Sequence, residues 1–437
     1  MASLGKGVCV SRRSSLFISL LVVVLAFSLF TCVSLNVSSG VSLENAVYVS
    51  NETELRNAIN NAAKPAVIAF GKDIILTDSS LTIPANKDIT LTSSKTVGYY
   101  KLIGAEDTST IFVNGGSVLK LDGIIVTHPN AKSGNGVTVN PGGTFFMYSG
   151  EISGNAAMVS ASDGSIYAAL YSVGGGVHNK GVFEMYGGKI INNIASSFGM
   201  GGGVANDGVF EMFGGTISGN SAGNGWGGGV YNNRYTDDGV FKLFGGEISS
   251  NTALFGGGVA NSGVFEMFGG TISKNKATGG GGGVVNYNKF TMSDGEITSN
   301  TATYGGGVYN LNNVFEWLSG NISSNISTGD YDDNVYHSGS GGVYNGGDGS
   351  SNGAGGGSSG GNGGNGGGGS SMLDGFSLRD VVFVCVGVAL VVVGVVVAVL
   401  LFTFKKELKM RKENNVSIMN MHGLLCCCFP FFMVGIR

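Results

Sequence analysis

The long middle of this chain of 437 residues contains no cysteine. All six cysteines lie in or beside hydrophobic segments near the two ends, at Cys9, Cys32, Cys385, and Cys426 to Cys428. Disulfides therefore cannot stabilise the middle region, and no cysteine metal site can form there. A region without cross-links must be held by its own core, and a long repeat array can bury enough surface for that.

Charge is also scarce, since only 12% of the residues are charged and the formal net charge is −4. Nucleic-acid-binding domains carry clustered lysine and arginine, so the composition argues against a nucleic-acid partner. Glycine, in contrast, accounts for 78 residues, far above its usual share of about 7%. Hydrophobic residues make up 43% of the chain, which is not a disordered composition.

Two hydrophobic segments frame the chain and predict a membrane protein. In residues 1–40, Lys6, Arg12 and Arg13 precede an apolar run, which is typical of a signal peptide or an uncleaved N-terminal anchor. Residues 381–404 carry no charge, and at 1.5 Å per residue they reach about 36 Å, enough to cross a bilayer.

A block of lysine and arginine follows the second segment, at Lys405, Lys406, Lys409, Arg411 and Lys412. Because positive charge marks the cytoplasmic side, we expect residues 405–437 inside the cell and the middle region outside. The protein is thus predicted in the cell membrane, with a single pass, or two passes if the N-terminal segment is uncleaved. Four sequons permit N-glycosylation outside, at Asn36, Asn51, Asn321 and Asn325.

The middle region is repetitive, with a period of roughly 25 residues. One block recurs as GVFEMYGGKIINNIA, GVFEMFGGTISGNSA, GVFKLFGGEISSNTA and GVFEMFGGTISKNKA, and a second as GGGVHN, GGGVAN, GGGVYN and GGGVVN. Each period holds three short strand-like pieces between glycines and asparagines, too short for helices. Three strands per period predict one coil of a parallel β-helix, with right-handed winding as the default.

Alternation assigns the faces of these strands. Since Glu184 must face water, Phe183 and Met185 face inward, and equivalent residues form a column. Two further inward columns follow, one of isoleucine and one of valine: Ile190, Ile217, Ile248, Ile272, Ile297 and Ile322, and Val177, Val204, Val230, Val259, Val284 and Val308. The residue after each valine varies freely, from His178 to Tyr309, which predicts an outward position.

Two asparagine columns mark corners, because asparagine tolerates left-handed backbone and its stacked amides can bond from coil to coil. They contain Asn193, Asn220, Asn251, Asn275, Asn300 and Asn325, and Asn179, Asn206, Asn232, Asn261, Asn286 and Asn310. Ligand binding by these amides is the alternative, but recurrence in every coil favours the structural role. The glycine triplets allow tight corners and, lacking a following helix, do not predict a phosphate-binding loop.

These repeats resemble those of polymorphic outer membrane proteins and of adhesin-like β-helix proteins, through GGGV blocks alternating with ISGNSA, ISSNTA and ISKNKA. The resemblance covers about Thr144 to Asn345 and implies a right-handed parallel β-helix at a cell surface. Upstream, Asn51 to Pro141 looks like the entry to a pectate-lyase-like β-helix. There, Leu55, Ala58, Ile59 and Ala62 share one face of a predicted N-terminal capping helix.

The chain is accordingly predicted to be all-β, a right-handed parallel β-helix over residues 41–345 with roughly ten coils. Residues 346–372, rich in glycine and serine, predict a flexible linker between the helix and the membrane. The C-terminal transmembrane helix and its cytoplasmic tail complete the organisation.

A catalytic site is not apparent, although β-helices host polysaccharide lyases and hydrolases. Such chemistry needs paired carboxylates or a base with metal-bound carboxylates. The recurring Glu184, Glu211, Glu266 and Glu316 instead predict a solvated stripe, interrupted by Lys242 and Thr291. We therefore predict no enzyme, no catalytic residues and no cofactor.

Two places remain as candidate binding sites. Asp330, Asp332 and Asp333 break the repeat and could hold calcium through oxygen ligands, although a plain acidic loop is favoured. The residue before the glycine block is aromatic at Trp226, Phe255 and Tyr304. If these rings project outward, they suit a glycan ligand, and corner packing is the alternative.

The sequence thus predicts a cell-surface, adhesin-like protein that binds extracellular glycans or neighbouring surface proteins without catalysis. A carbohydrate-active lyase or hydrolase and a passive structural component of the cell envelope are the alternatives.

Overall fold

A computed structural model describes residues 41–345, except residues 96–97, 130–133, 158–172, 197, 234–238, 312, 330 and 339–343. The predicted signal segment, linker, transmembrane segment and tail lie outside these residues. Within the described part of the chain, no helix is long and apolar enough to span a bilayer.

The described residues form a right-handed parallel β-helix of about nine turns. This confirms the predicted all-β repeat fold and is close to the roughly ten coils expected. Every coil contributes strands to ladders that run along the stack, and all the strand pairs in these ladders are parallel.

The first ladder contains the V-F-E-M pieces. Its strands are Val47–Val49, Ala66–Phe70, Asp88–Ser93, Val118–Thr127, Thr144–Ser153, Val182–Met185, Val209–Met212, Val240–Leu243, Val264–Met267, Lys289–Met292, Val314–Trp317 and Tyr344–Asn345. The second ladder contains the isoleucine pieces and joins the first in one 20-stranded sheet. Its strands are Ile74–Ile75, Lys101–Ile103, Lys189–Ile191, Thr216–Ser218, Glu247–Ser249, Thr271–Ser273, Glu296–Thr298 and Asn321–Ser323.

The sequence did not predict the third ladder, which is made of two-residue strands. They are Ala156–Ala157, Ile194–Ala195, Thr252–Ala253, Lys276–Ala277, Thr301–Ala302 and Ile326–Ser327. The fourth ladder is a 10-stranded sheet of the G-V-x-N pieces. Its strands are Leu81–Ile83, Ile111–Val113, Val137–Val139, Val177–Asn179, Val204–Asn206, Val230–Asn232, Val259–Asn261, Val284–Asn286, Val308–Leu311 and Val335–Ser338.

The predicted inward columns fill the bore of the stack. Phe183 and Phe210 are fully buried, and their rings stack with centroids 4.6 Å apart. The isoleucine and valine columns are also buried, at 5% exposure or less. Register places each side chain over its equivalent, as in the pairing of Val177 with Val204 and of Ile190 with Ile217.

Both asparagine columns are continuous hydrogen-bonded ladders. The Nδ2 of Asn193 donates to the Oδ1 of Asn220 at 3.0 Å, and the Nδ2 of Asn179 donates to the Oδ1 of Asn206 at 2.7 Å. The structural interpretation of these amides is therefore confirmed. The left-handed backbone, however, lies one residue earlier than the first column, as at Ser250, whose φ is 57°.

The helix α1 spans Glu52–Asn61, close to the predicted position. Asn51 begins it, because its Oδ1 accepts a hydrogen bond from the Glu54 N–H at 2.9 Å. Leu55 and Ile59 are buried and belong to the same core as the first coils.

Candidate functional site

The outer face of the first ladder carries a column of stacked aromatic side chains, which we call the outer aromatic strip. It consists of Tyr148, Tyr186, Phe213, Phe244 and Phe268, with successive ring centroids 4.9–5.3 Å apart. Tyr148 is half-buried, whereas the other four side chains are 39–44% exposed. Contiguous exposed apolar surface of this kind is uncommon on soluble proteins, so the strip is a candidate interaction site.

Local sequence fixes the position of each ring at the end of its strand. The Phe213 N–H donates to the Met185 carbonyl of the preceding coil at 2.8 Å, so the ring leaves the strand in register. A Gly-Gly turn follows, and Gly215 has a φ of +88°. A Cβ there would lie 2.8 Å from the Gly188 carbonyl oxygen of the preceding coil, so both the positive φ and the close approach of the two backbones require glycine.

Stacking determines which part of the rings is available. The planes of Phe213 and Phe244 differ by only 3°, and those of Phe244 and Phe268 by 11°. The ring faces are therefore covered by their neighbours, and the ring edges form the accessible surface. The column continues with Ser293 and Leu318 in the next two coils, so one face of Phe268 has no ring stacked on it.

A charged column runs beside the strip, two residues earlier in each strand. It contains Glu184, Glu211, Lys242, Glu266, Thr291 and Glu316. The Lys242 Nζ lies 2.9 Å from the Glu211 Oε1, and the Thr291 hydroxyl donates to Glu316 at 3.0 Å. These contacts relieve repulsion between glutamates stacked at strand spacing.

Tyr186 links the strip to this column. Its hydroxyl donates to the Glu184 Oε2 at 2.6 Å, and this hydrogen bond, with burial as the second cause, raises the pKa of Tyr186 to about 12. The Tyr186 hydroxyl thus stays neutral near pH 7 and remains a hydrogen-bond donor at the edge of the strip.

The three aromatic residues that the sequence predicts as glycan ligands are less exposed than most rings of the outer aromatic strip. Trp226, Phe255 and Tyr304 are half-buried, and Trp226 and Phe255 pack against a small cluster on the outside of the fourth ladder. The buried members of that cluster are Met200, Tyr231, Ala260 and Val285. The arrangement is that of the alternative interpretation, corner packing, and glycan binding by these three rings stays a prediction.

Hydrogen bonding joins residues of this cluster that lie two coils apart. The Trp226 Nε1–H donates to the Tyr287 hydroxyl at 3.3 Å, and burial raises the pKa of Tyr287 to about 12. The position after each valine is predicted to point outward, and at two of these positions Ala260 and Val285 are nevertheless fully buried. They point outward as predicted and are covered by larger side chains from neighbouring coils.

The acidic segment gives no assembled metal centre among the residues that the structure describes. Asp330 lies outside those residues, so calcium binding by Asp330, Asp332 and Asp333 stays a prediction. Asp333 has a local role, because its carboxylate accepts a hydrogen bond from the Ser327 N–H at 2.6 Å.

One polar cluster, formed by His178, Asp207 and Asn233, was not predicted from the sequence. The His178 Nε2 lies 2.8 Å from the Asp207 Oδ2, and Asn233 donates a short hydrogen bond to the same carboxylate. Burial alone would raise the pKa of Asp207, but the hydrogen bonds from His178 and Asn233 outweigh it and lower this pKa. These residues occupy variable outward positions in successive coils, so no motif signals them.

No family model matches the chain, and neither the curated proteins nor the solved structures contain a match. The assignment of the fold therefore depends on the strand pairing and burial described above. The pectate-lyase-like and adhesin-like resemblances stay predictions.

Proposed function

We propose that this protein is a non-catalytic, adhesin-like component of a cell surface, and that the outer aromatic strip is its contact surface. The observation that carries the proposal is the strip itself, in which four consecutive rings are 39–44% exposed while the equivalent phenylalanines inside the bore are fully buried. Exposed apolar area gains stability only when a partner covers it.

The stacking geometry favours one kind of partner. Sugars usually rest on the faces of aromatic rings, and in the strip those faces are occupied by neighbouring rings. Ring edges carry positive partial charge and pack well against apolar groups, carbonyl oxygens and other ring faces. A neighbouring surface protein therefore suits most of the strip, and a glycan suits only the open face of Phe268.

The extracellular position is part of the same proposal and is supported by the sequence. Residues 1–40 are typical of a secretory signal, and residues 381–404 with the following basic block are typical of a membrane span with its tail inside. In that arrangement the β-helix stands outside the cell, joined to the membrane through residues 346–372.

Three measurements on the purified full chain test the proposal together. Beads coated with the chain report adhesion between copies, a glycan array reports sugar binding, and chromatography of incubated polysaccharides reports cleavage. Adhesion or glycan binding without cleavage supports the proposal. Cleavage would favour a carbohydrate-active enzyme, and no binding of either kind would favour a passive envelope component.

The strip is tested by the double variant Phe213→Ser and Phe244→Ser, because serine already occupies this column at Ser293. We expect at least a tenfold loss of whichever binding the native chain shows, bead adhesion or glycan binding. The matched control is Ile194→Ser, which removes a 45% exposed apolar side chain from the third ladder, where the next coil carries Ser221. An equal loss in the control would contradict a role for the strip.

A further inference from the structure

The structure separates two N-glycosylation sequons that the sequence cannot distinguish. Asn321 and Asn325 lie four residues apart in the same coil, and each begins the same motif, Asn-Ile-Ser. We propose that Asn321 carries an N-linked glycan in the folded protein and that Asn325 does not. This inference rests on the proposed extracellular position of the β-helix.

Asn325 belongs to the buried asparagine ladder and is only 4% exposed. Its Nδ2 donates to the Ile297 carbonyl at 2.9 Å and to the Asn334 Oδ1 at 3.1 Å. Its Oδ1 accepts from the main chain and the side chain of Asn300, at 3.0 and 2.9 Å. An N-glycan replaces one of the two Nδ2 protons, so its attachment would remove a hydrogen bond of the ladder. The buried surroundings of Asn325 also leave no space for a sugar.

Asn321 has the opposite environment. It is exposed and begins the strand Asn321–Ser323 in the second ladder, where Ile322 points inward. Its main-chain N–H donates to the Gly295 carbonyl at 2.9 Å, which leaves the ladder intact whatever the side chain carries. Equivalent positions in earlier coils hold residues of different size and charge: Lys189, Thr216, Glu247, Thr271 and Glu296.

The chemistry uses a donor of known class, an oligosaccharide joined through a diphosphate to a lipid. The Asn321 Nδ2 attacks the anomeric carbon, and a new C–N bond forms while the bond from that carbon to the diphosphate oxygen breaks. The Nδ2 gives up one proton to a base of the transferase, and the lipid diphosphate leaves. The transferase acts on unfolded chains, so folding decides which modified chains persist.

The test is expression of the full chain in a secreting eukaryotic cell, followed by site mapping of the folded protein by mass spectrometry after enzymatic deglycosylation in heavy-oxygen water. We expect the label at Asn321 and none at Asn325. The variant Ser323→Ala removes the first sequon and keeps Asn321, so it should lose one glycan. A label at Asn325 in folded protein, or an unmodified Asn321, overturns the proposal.

A reporter sequon distinguishes the two ways in which Asn321 could be found unmodified. Lys276→Asn creates Asn-Ala-Thr at an exposed position of the third ladder. If this reporter is modified and Asn321 is not, the site assignment fails while the extracellular position stands. If both are unmodified, the site assignment and the extracellular position fail together.

Discussion

The Asn220 side chain donates to the Oδ1 of Asn251 in the next coil at 3.0 Å, and the Asn220 main-chain N–H donates to the same oxygen at 2.9 Å. Asn251 in turn donates to the Ile217 carbonyl at 3.0 Å. Its Nδ2 also donates to the Asn275 Oδ1 of the following coil at 3.0 Å. One buried amide thus satisfies groups in the coils on both sides, which accounts for the asparagine at this position in the described repeats.

Asn251→Ala should therefore be strongly destabilising. It leaves the Asn220 N–H and one Asn220 side-chain proton without partners and removes a donor to the Ile217 carbonyl, and each unsatisfied buried group costs about 1–3 kcal/mol. We expect the free energy of unfolding to fall by about 3 kcal/mol or more, measured by urea denaturation with circular dichroism. The exposed neighbour Thr252→Ala is the control, and a similar loss there would contradict the ladder's special role.

Two phenylalanines in one strand region form a matched pair for the core and the outer strip. Phe210 is fully buried, with rings stacked at 4.6 and 4.8 Å, whereas Phe213 is 39% exposed, with rings stacked at 5.0 and 4.9 Å. Phe210→Ala should cost about 3–5 kcal/mol, and Phe213→Ala about 1 kcal/mol. Equal losses in thermal unfolding would mean that the strip is part of the core.

The core was predictable because inward residues recur in every repeat with a period of two. Phe183, Ile190 and Val177 each lie in a column that alternation places inside, and the structure confirms all three columns. The third ladder was not predictable in this way. Its strands are two residues long, as in Thr252–Ala253, and two residues carry no alternation.

The outer strip was missed for a different reason. Alternation also points Tyr186 outward, two residues after Glu184, but its place before two glycines made it part of a turn rather than of a strand face. The cluster around Trp226 was not predictable either, because its partner Tyr287 lies 61 residues away in sequence. Contacts between side chains from different coils depend on turn geometry, which a repeat pattern does not specify.

Lys242 interrupts a column of glutamates, and its charge should matter to stability. The hydrogen bond to Glu211 is the largest cause of its raised pKa, so the ammonium form is favoured in the fold. Lys242→Glu would place four carboxylates in consecutive coils, and we expect a loss of about 1 kcal/mol at low salt.

Salt dependence identifies the cause of that loss. Since repulsion between surface charges is screened by ions, most of the stability should return at about 1 M sodium chloride. Lys242→Thr is the control, because Thr291 occupies the same column, and its stability should change little with salt. A loss in Lys242→Glu that is unaffected by salt would point to packing instead.

The pair of His178 and Asp207 predicts a pH dependence whose sign follows from the lowered pKa of Asp207. The fold favours the carboxylate over the acid, so this group stabilises the protein at pH values above its ionisation in the unfolded chain, near 4. The contribution is lost as the pH falls through the lower pKa of the folded state. The stability difference between the native chain and Asp207→Asn should therefore shrink as the pH falls below about 4, as measured by urea denaturation at each pH.

His178→Gln weakens the hydrogen bond that does most to offset burial of Asp207, and it should flatten the same profile, because the pKa of Asp207 then returns toward its unfolded value. A difference that grows on acidification, or a profile that His178→Gln leaves unchanged, would mean that the pair does not hold the carboxylate in its charged form.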